Sequence, residues 1–216
     1  MRPSAPGPGS AAERAYDFLK WAILNAVYAA GDPLTESGLA HELGLSRTPV
    51  REAMLRLEVE GLLRLTPGRG AVVAEYSQQD VEDVLEARVL VENHTARASF
   101  RARESLLPCL ETVHEEMRKR RRERDTAGFT DADRRFHELI VDAAGNRVLS
   151  GVYRMLRERQ TLFTSVIMRG RTDRMDEAIG EHDRVLEALR GDDEDAFCRA
   201  VNTHLQWSIA LARESH

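Results

Sequence analysis

The sequence predicts a mostly α-helical protein in two parts, of which the N-terminal part also carries two short strands. Three observations support this fold class. Apolar residues recur at helical spacing along most of the 216-residue chain. Two apolar runs, 62–65 and 71–74, flank a tight loop that contains one proline and two glycines. After Ser77 no strand-like alternation follows, so the C-terminal part is predicted to be all-α.

Length and composition restrict the class of protein. A chain of 216 residues is long enough for two domains. Its longest apolar run, 21–30, has about half the length of a membrane span, so no membrane partner is expected. Residues 1–10 lack the apolar segment of a signal peptide and are interpreted as a disordered tail. The two cysteines, Cys109 and Cys198, lie far apart and predict reduced thiols in a cytoplasmic protein.

Three helices are predicted within residues 11–76, where glycines separate them and Thr35 and Ser46 are the N-caps of the second and third. These helices span residues 12–29, 35–43 and 46–60. Three helices followed by a two-stranded hairpin are typical of a winged helix-turn-helix, in which the third helix reads DNA and the hairpin is the wing.

The placement of arginine supports a DNA-binding role for this part. The net charge of −5 lies entirely after residue 73, because residues 1–73 carry eight basic and eight acidic side chains. The arginines of this neutral part concentrate at the start of the third helix and at the wing tip, where the side chains of a winged helix meet bases and phosphates. The predicted DNA-binding residues are Ser46, Arg47, Thr48, Arg51, Arg69 and Gly70. A winged helix used only for protein contacts, with solvated arginines, is the alternative.

The C-terminal part, residues 77–216, is predicted to be an all-α bundle of six helices. They span 78–103, 106–124 (with Pro108 in the first turn), 130–144, 147–167, 175–190 and 192–212. The run RKRRRER at 118–124 contains or adjoins three glutamates, which favours a solvated helix face over a nucleic-acid patch.

Four polar residues fall on the apolar stripes of these helices. Asp133 and His137 lie one turn apart on one helix, and His182 and His204 lie on two later ones. Each could be a hydrogen-bonded core residue, but four inward groups of metal-ligand type favour a metal site, because unpaired burial is costly. We expect a divalent ion, zinc first, with nickel or manganese as alternatives.

Arg88 is a fifth inward polar residue, on the stripe of the helix that begins near Gln78. It is interpreted either as one half of an internal ion pair with Glu92 or as a clamp for an anionic ligand, since guanidinium matches carboxylate.

Residues 34–73, which read LTESGLAHELGLSRTPVREAMLRLEVEGLL and end in PGRGAVV, resemble the DNA-binding domain of GntR-family transcriptional regulators. The resemblance implies a dimeric bacterial regulator on a palindromic operator, with DNA contacts at Arg47, Thr48, Arg51 and Gly70. One departure is Ser37, where the family commonly has an arginine after the glutamate.

The C-terminal part resembles the FCD effector domain through its D-x-x-x-H spacing, its two later histidines and the element EARVLVE around Arg88. That resemblance implies metal ligation by Asp133, His137, His182 and His204, and a small carboxylate or sugar acid as effector. The expected function is therefore a transcriptional regulator, such as a repressor, whose operator affinity a small organic acid controls.

Two alternatives remain open from the sequence. One is a constitutive DNA-binding protein whose metal only braces the fold. The other is a metal-dependent hydrolase, but His137-Glu138 does not complete the H-E-x-x-H motif because position 141 is Val141, and an enzyme is not expected.

Overall fold

The computed structural model describes residues 9–66, 70–75, 77–167 and 173–214, with the backbone alone at 162–167, 173, 207–208 and 210–214. The chain divides into two compact units, Met1–Ser77 and Gln78–His216. None of the described helices combines the length and the apolar character needed to cross a bilayer.

The first unit contains three helices and a small antiparallel sheet. Its elements are α1 (Ala11–Leu24), β1 (Pro33–Leu34), α2 (Glu36–Leu43), α3 (Arg47–Val59), β2 (Leu63–Thr66) and β3 (Gly70–Val73). Helix α1 ends five residues before the predicted Ala29, because the chain turns after Asn25 and Ala26 adopts a positive φ of 53°. Buried apolar residues of α1 and α3, among them Leu19 and Met54, form the core of the unit.

The sheet has three strands rather than the predicted two, in the order β1-β3-β2. Strand β1 was not predicted, because two residues are too short to show alternation. Strand β1 pairs with β3 so that Leu34 lies opposite Ala71. At the start of β3, Gly70 has a φ of +98°, and a Cβ atom there would lie 2.2 Å from the Leu34 carbonyl oxygen. Only glycine fits this position.

The described part of the second unit is all-α. Its elements are α4 (Gln78–Phe100), α5 (Arg103–Arg122), α6 (Thr126–Ala143), α7 (Arg147–Ile167), α8 (Asp173–Arg190) and α9 (Glu194–Glu214). Helix α6 begins four residues before the predicted Thr130, because Asp125 caps it by accepting a hydrogen bond from Gly128 N at 2.9 Å. Helix α5 begins at Arg103, which places Pro108 inside the helix and not in its first turn.

The core of this unit is formed by buried apolar residues of α4, α5, α6, α8 and α9. The basic run on α5 faces acidic partners: Arg118 pairs with Asp183 at 2.7 Å, and Arg121 pairs with Asp176 at 2.6 Å. Its positive charge is thus largely neutralised by residues of the same unit, and a nucleic-acid patch has no support here.

Candidate nucleic-acid interface and metal centre

An open cleft of about 630 Å³ lies beside the start of α3. It is lined by side chains from the beginnings of α2 and α3 and by the strands of the wing, including Thr35, Ser37, Arg47, Arg51, Thr66 and Gly70. The cleft therefore combines the start of α3, the predicted recognition helix, and the described part of the hairpin in one surface.

The predicted DNA-binding residues of α3 point to solvent. Ser46, Arg47, Thr48 and Arg51 are all exposed. The Arg51 side chain is 71% exposed and its Nε lies 3.8 Å from the Glu36 carboxylate, a distance too long for a strong pair. Ser46 is the N-cap residue of α3, as predicted, but its hydroxyl makes no capping hydrogen bond and is available to a phosphate. Arg69 lies outside the described residues.

Three contacts fix the orientation of α3 within the unit. The Glu58 carboxylate accepts a hydrogen bond from Leu65 N in β2 at 2.9 Å. The Arg56 guanidinium lies 3.9 Å from the centre of the Tyr16 ring, and the Tyr16 hydroxyl donates to Glu60 at 2.7 Å. These contacts connect α3 to the wing on one side and to α1 on the other.

Three buried histidines converge in the second unit. His137 of α6, His182 of α8 and His204 of α9 are at most 2% exposed. His137 Nε2 lies 3.3 Å from His182 Nε2 and 3.0 Å from His204 Nε2. Their ligand atoms all lie within 4.8 Å of one another, so the three histidines could hold a metal ion.

His182 and His204, which both lie next to His137, are held neutral. Burial and, as the second cause, the neighbouring His137 lower the pKa of His204 to about 3. Burial also brings the pKa of His182 well below its ordinary value of 6.5, with His204 as a second cause. Neutral imidazoles present lone pairs, which is the state that metal binding requires.

The spacing of these nitrogen atoms fits one shared ion. Two imidazole nitrogens that each lie about 2.1 Å from a zinc ion at tetrahedral or octahedral angles are roughly 3.0–3.4 Å apart. The observed separations of 3.0 and 3.3 Å fall in this range. The donor set and its geometry therefore fit a divalent ion.

Asp133 lies one helical turn before His137 and faces the same point. Its Oδ1 is 3.8 Å from His137 Nε2 and 3.7 Å from His182 Nε2, while Oδ2 accepts a hydrogen bond from Arg157 at 2.8 Å. Burial raises the pKa of this carboxyl, but Arg157 and the histidines outweigh burial and hold it below its usual range. Asp133 is therefore an ionised fourth group beside the three histidines.

Glu92 supports the cluster from the opposite side of the His137 ring. Its carboxylate is fully buried, lies 2.6 Å from His137 Nδ1 and accepts hydrogen bonds from Arg88 Nε and the Tyr153 hydroxyl. Burial opposes ionisation, but Arg88 and His137 lower the pKa of Glu92 below its usual range. A carboxylate behind a metal-ligating histidine is a common arrangement in metal sites.

Arg88 forms an internal ion pair with Glu92, which is one of the two roles predicted for it from the sequence. Its Nε lies 2.6 Å from Glu92 Oε1, and its Nη1 donates to Gln160 Oε1 at 2.9 Å. Sequence reasoning missed Tyr153, Arg157 and Gln160, all on α7. The only sequence signal that these three residues share one helix face is their spacing of three to four residues.

The chain matches two family models, bacterial regulatory proteins of the gntR family over residues 11–73 and the FCD domain over residues 83–206. It is 33% identical over 134 residues to an HTH-type transcriptional regulator of Agrobacterium vitis, covering 60% of this chain and 78% of that protein. It is 28% identical to the galactonate operon transcriptional repressor of Escherichia coli, covering 89% of this chain and 92% of that protein. The solved structure of E. coli McbR/YncC matches the fold with a TM-score of 0.81 at 21% identity, covering 95% of this chain and 98% of that one.

Proposed function

This chain belongs to the GntR family of bacterial transcriptional regulators, in the branch that carries an FCD domain, and we propose that a small carboxylic acid bound in the FCD domain controls its affinity for DNA. It is a DNA-binding regulator and not an enzyme. The proposal depends on one observation, the convergence of three buried imidazoles beside two buried guanidinium groups, those of Arg88 and Arg157.

The DNA side of the proposal places two winged helices of a homodimer on a palindromic operator in the cytoplasm. Helix-turn-helix dimers bind half-sites about one helical turn apart, and the N-terminal residues of their recognition helices contact base edges. The exposed side chains of Arg47, Thr48 and Arg51 support this assignment. Ser46, Gly70 and Arg69 are assigned to phosphate or minor-groove contacts at the helix start and the wing.

The FCD side assigns His137, His182, His204 and Asp133 as ligands of a divalent ion, with zinc as the first choice and nickel or manganese as alternatives. When bound, the ion supplies a positive charge and open coordination positions for an oxygen ligand. Two residues outside the ligand set orient the ligands: Glu92 holds the His137 ring in place, and Arg157 holds the Asp133 carboxylate.

The effector is assigned to the carboxylate class. Arg88 and Arg157 are 2% and 4% exposed, and buried guanidinium groups bind planar carboxylates strongly. The relative named as a galactonate operon repressor is named for a sugar acid, which belongs to the same chemical class. A bound acid changes DNA affinity only if it binds one of two conformations of the regulator more tightly than the other.

Thermal melting of the zinc-loaded protein tests this proposal, with acetate, succinate, D-gluconate and D-galactonate as probes. A ligand at 100 times its Kd should add roughly 2.7 kcal/mol to the free energy of unfolding. The acid that raises the melting temperature should also change the Kd for a DNA duplex selected from random sequences by the protein itself. A large destabilisation on chelation, without an effect of any acid, would support the rival function, a constitutive regulator whose metal is structural.

A further inference from the structure

Two buried arginines share a single acceptor in the FCD domain. Arg88 Nη1 donates to Gln160 Oε1 at 2.9 Å, and Arg157 Nη1 donates to the same oxygen at 2.8 Å. The atom must be the amide oxygen, because guanidinium N–H groups only donate. One neutral side chain thus lies between two positive charges that come from different helices, α4 and α7.

Each of these arginines also has a buried N–H donor that makes no hydrogen bond within the described structure. Arg88 Nη2 and Arg157 Nε have no hydrogen-bond partner among the residues that the structure describes. Each arginine faces one carboxylate, Glu92 for Arg88 and Asp133 for Arg157. Both carboxylates also face His137, and they leave one N–H donor of each guanidinium group without an acceptor.

We propose that Arg88 and Arg157 form a clamp for a carboxylate group of the effector, and that Gln160 occupies this clamp in the free protein and is displaced when the effector binds. This inference rests on the proposed function, because it names how the same site recognises its acid. It assigns Arg157 and Gln160 roles in effector recognition and makes Gln160 an internal competitor.

The relative strength of the hydrogen bonds gives the displacement its direction. An amide oxygen is a neutral acceptor, whereas a carboxylate forms charge-assisted hydrogen bonds that are roughly twice as strong. A carboxylate also offers two oxygens to two guanidinium groups, whereas the amide offers one. Gln160 is only half-buried, so its side chain has room to leave toward solvent.

The exchange would also change the connection between two helices. Gln160 and Arg157 both lie on α7, and Gln160 Oε1 is one of the links from α7 to Arg88 on α4. The Tyr153 hydroxyl, which donates to Glu92 at 2.8 Å, is a second link and does not involve Gln160. Displacement therefore replaces the Gln160 link between α4 and α7 by one through the effector carboxylate and leaves the Tyr153 link in place, which is a discrete change that effector binding can drive.

Calorimetric titration of zinc-loaded variants with acetate, succinate, D-gluconate and D-galactonate tests the clamp. Gln160→Ala removes the competitor, and we expect the Kd for the acid that binds best to fall roughly tenfold. Gln160→Glu places a tethered carboxylate in the clamp, and we expect the Kd of the same acid to rise by at least roughly tenfold. Gln79→Ala is the matched control, because Gln79 is exposed at the start of α4 and bonds only Asp83 in the described structure. Gln160→Met repeats the first test if the alanine variant does not fold.

The outcomes separate the clamp from the effector proposal. If the wild-type protein binds an acid and Gln160→Ala binds it no more tightly, the effector proposal stands and the clamp is wrong. If only Gln160→Ala binds an acid, the clamp is supported and the wild-type protein is not regulated by that panel. If neither protein binds any of the four acids, the clamp proposal is overturned.

Discussion

The carboxylate of Glu92 lies 2.6 Å from Nδ1 of His137, and the opposite nitrogen of the same ring faces His182 and His204. Because the carboxylate is ionised, it can only accept a hydrogen bond, so His137 Nδ1 is the donor and Nε2 is the nitrogen that faces the other two histidines. Glu92 thereby fixes which nitrogen of His137 faces the cluster and how the ring is oriented, although Glu92 is not itself one of the proposed metal ligands.

Glu92→Gln should weaken zinc binding by roughly 10- to 100-fold. The glutamine can still accept a hydrogen bond from His137, but it removes the negative charge that raises the basicity of the ring and balances Arg88. Competition with a chromophoric chelator measures the zinc Kd. Glu86→Gln, at an exposed position of the same helix, is the control. An unchanged zinc Kd in Glu92→Gln would show that the glutamate only balances Arg88.

His182→Ala should remove most of the bound metal and leave part of the DNA affinity. His114→Ala is the matched control, because His114 is also buried and its ring centre lies 6.2 Å from that of His182. His114 instead faces the Ile179 carbonyl oxygen at 3.3 Å and does not belong to the three-histidine cluster. Metal content per chain, measured on both purified variants, distinguishes them. Full occupancy in His182→Ala would exclude His182 as a ligand.

Helical periodicity predicted which side chains face inward, but not which of them meet. Asp133, His137, His182 and His204 were placed on inner faces from spacing alone, and the structure brings these four together. Spacing could not reveal that Arg157 reaches Asp133, since that contact depends on how two helices pack. The inward position of a residue is a local property, whereas its partner is a property of the tertiary structure.

The winged helix shows the same limit on a smaller scale. Glycines and caps predicted α2 and α3 closely, because these signals act within a few residues. Strand β1 has only two residues and exists because its backbone pairs with β3, almost forty residues later. Gly70 was assigned to DNA contact at the wing, yet its close approach to Leu34 is a structural reason for glycine that is independent of DNA.

Arg51→Ala should weaken operator binding by about 1–3 kcal/mol and leave the melting temperature unchanged. The Arg51 side chain is mostly exposed and its only described ion pair, with Glu36, is long, so it contributes little to folding. Fluorescence anisotropy with a selected duplex at several salt concentrations measures both the affinity and its salt dependence. Arg122→Ala removes the same charge from an exposed site on α5 and should leave both unchanged. Equal operator affinity in Arg51→Ala and wild type would contradict the assignment of α3 as the recognition helix.

The stability of the metal-free protein should fall as the pH is lowered from about 7 to about 5, because the folded state keeps two histidines neutral. Burial lowers the pKa of His182 well below its ordinary value of 6.5 and the pKa of His204 to about 3. Below pH 6.5 the unfolded chain therefore binds protons that the folded chain does not bind, and this preference continues until the pH approaches the folded pKa. The free energy of unfolding should decrease by up to about 1.4 kcal/mol per pH unit for each of these histidines.

Urea unfolding of the chelator-treated protein across this pH range measures the slope. The lowered pKa values of Glu92 and Asp133 act in the same direction but at lower pH, so the range from about 7 to about 5 isolates the histidines. His204→Gln should reduce the slope, because one of the histidines with a lowered pKa is gone, whereas His94→Gln changes an exposed histidine and should leave the slope unchanged. A slope of equal size in His204→Gln and wild type would mean that His204 titrates alike in the folded and unfolded chains. Its burial among other imidazoles would then have no effect on its proton affinity, which contradicts the closed arrangement of the cluster.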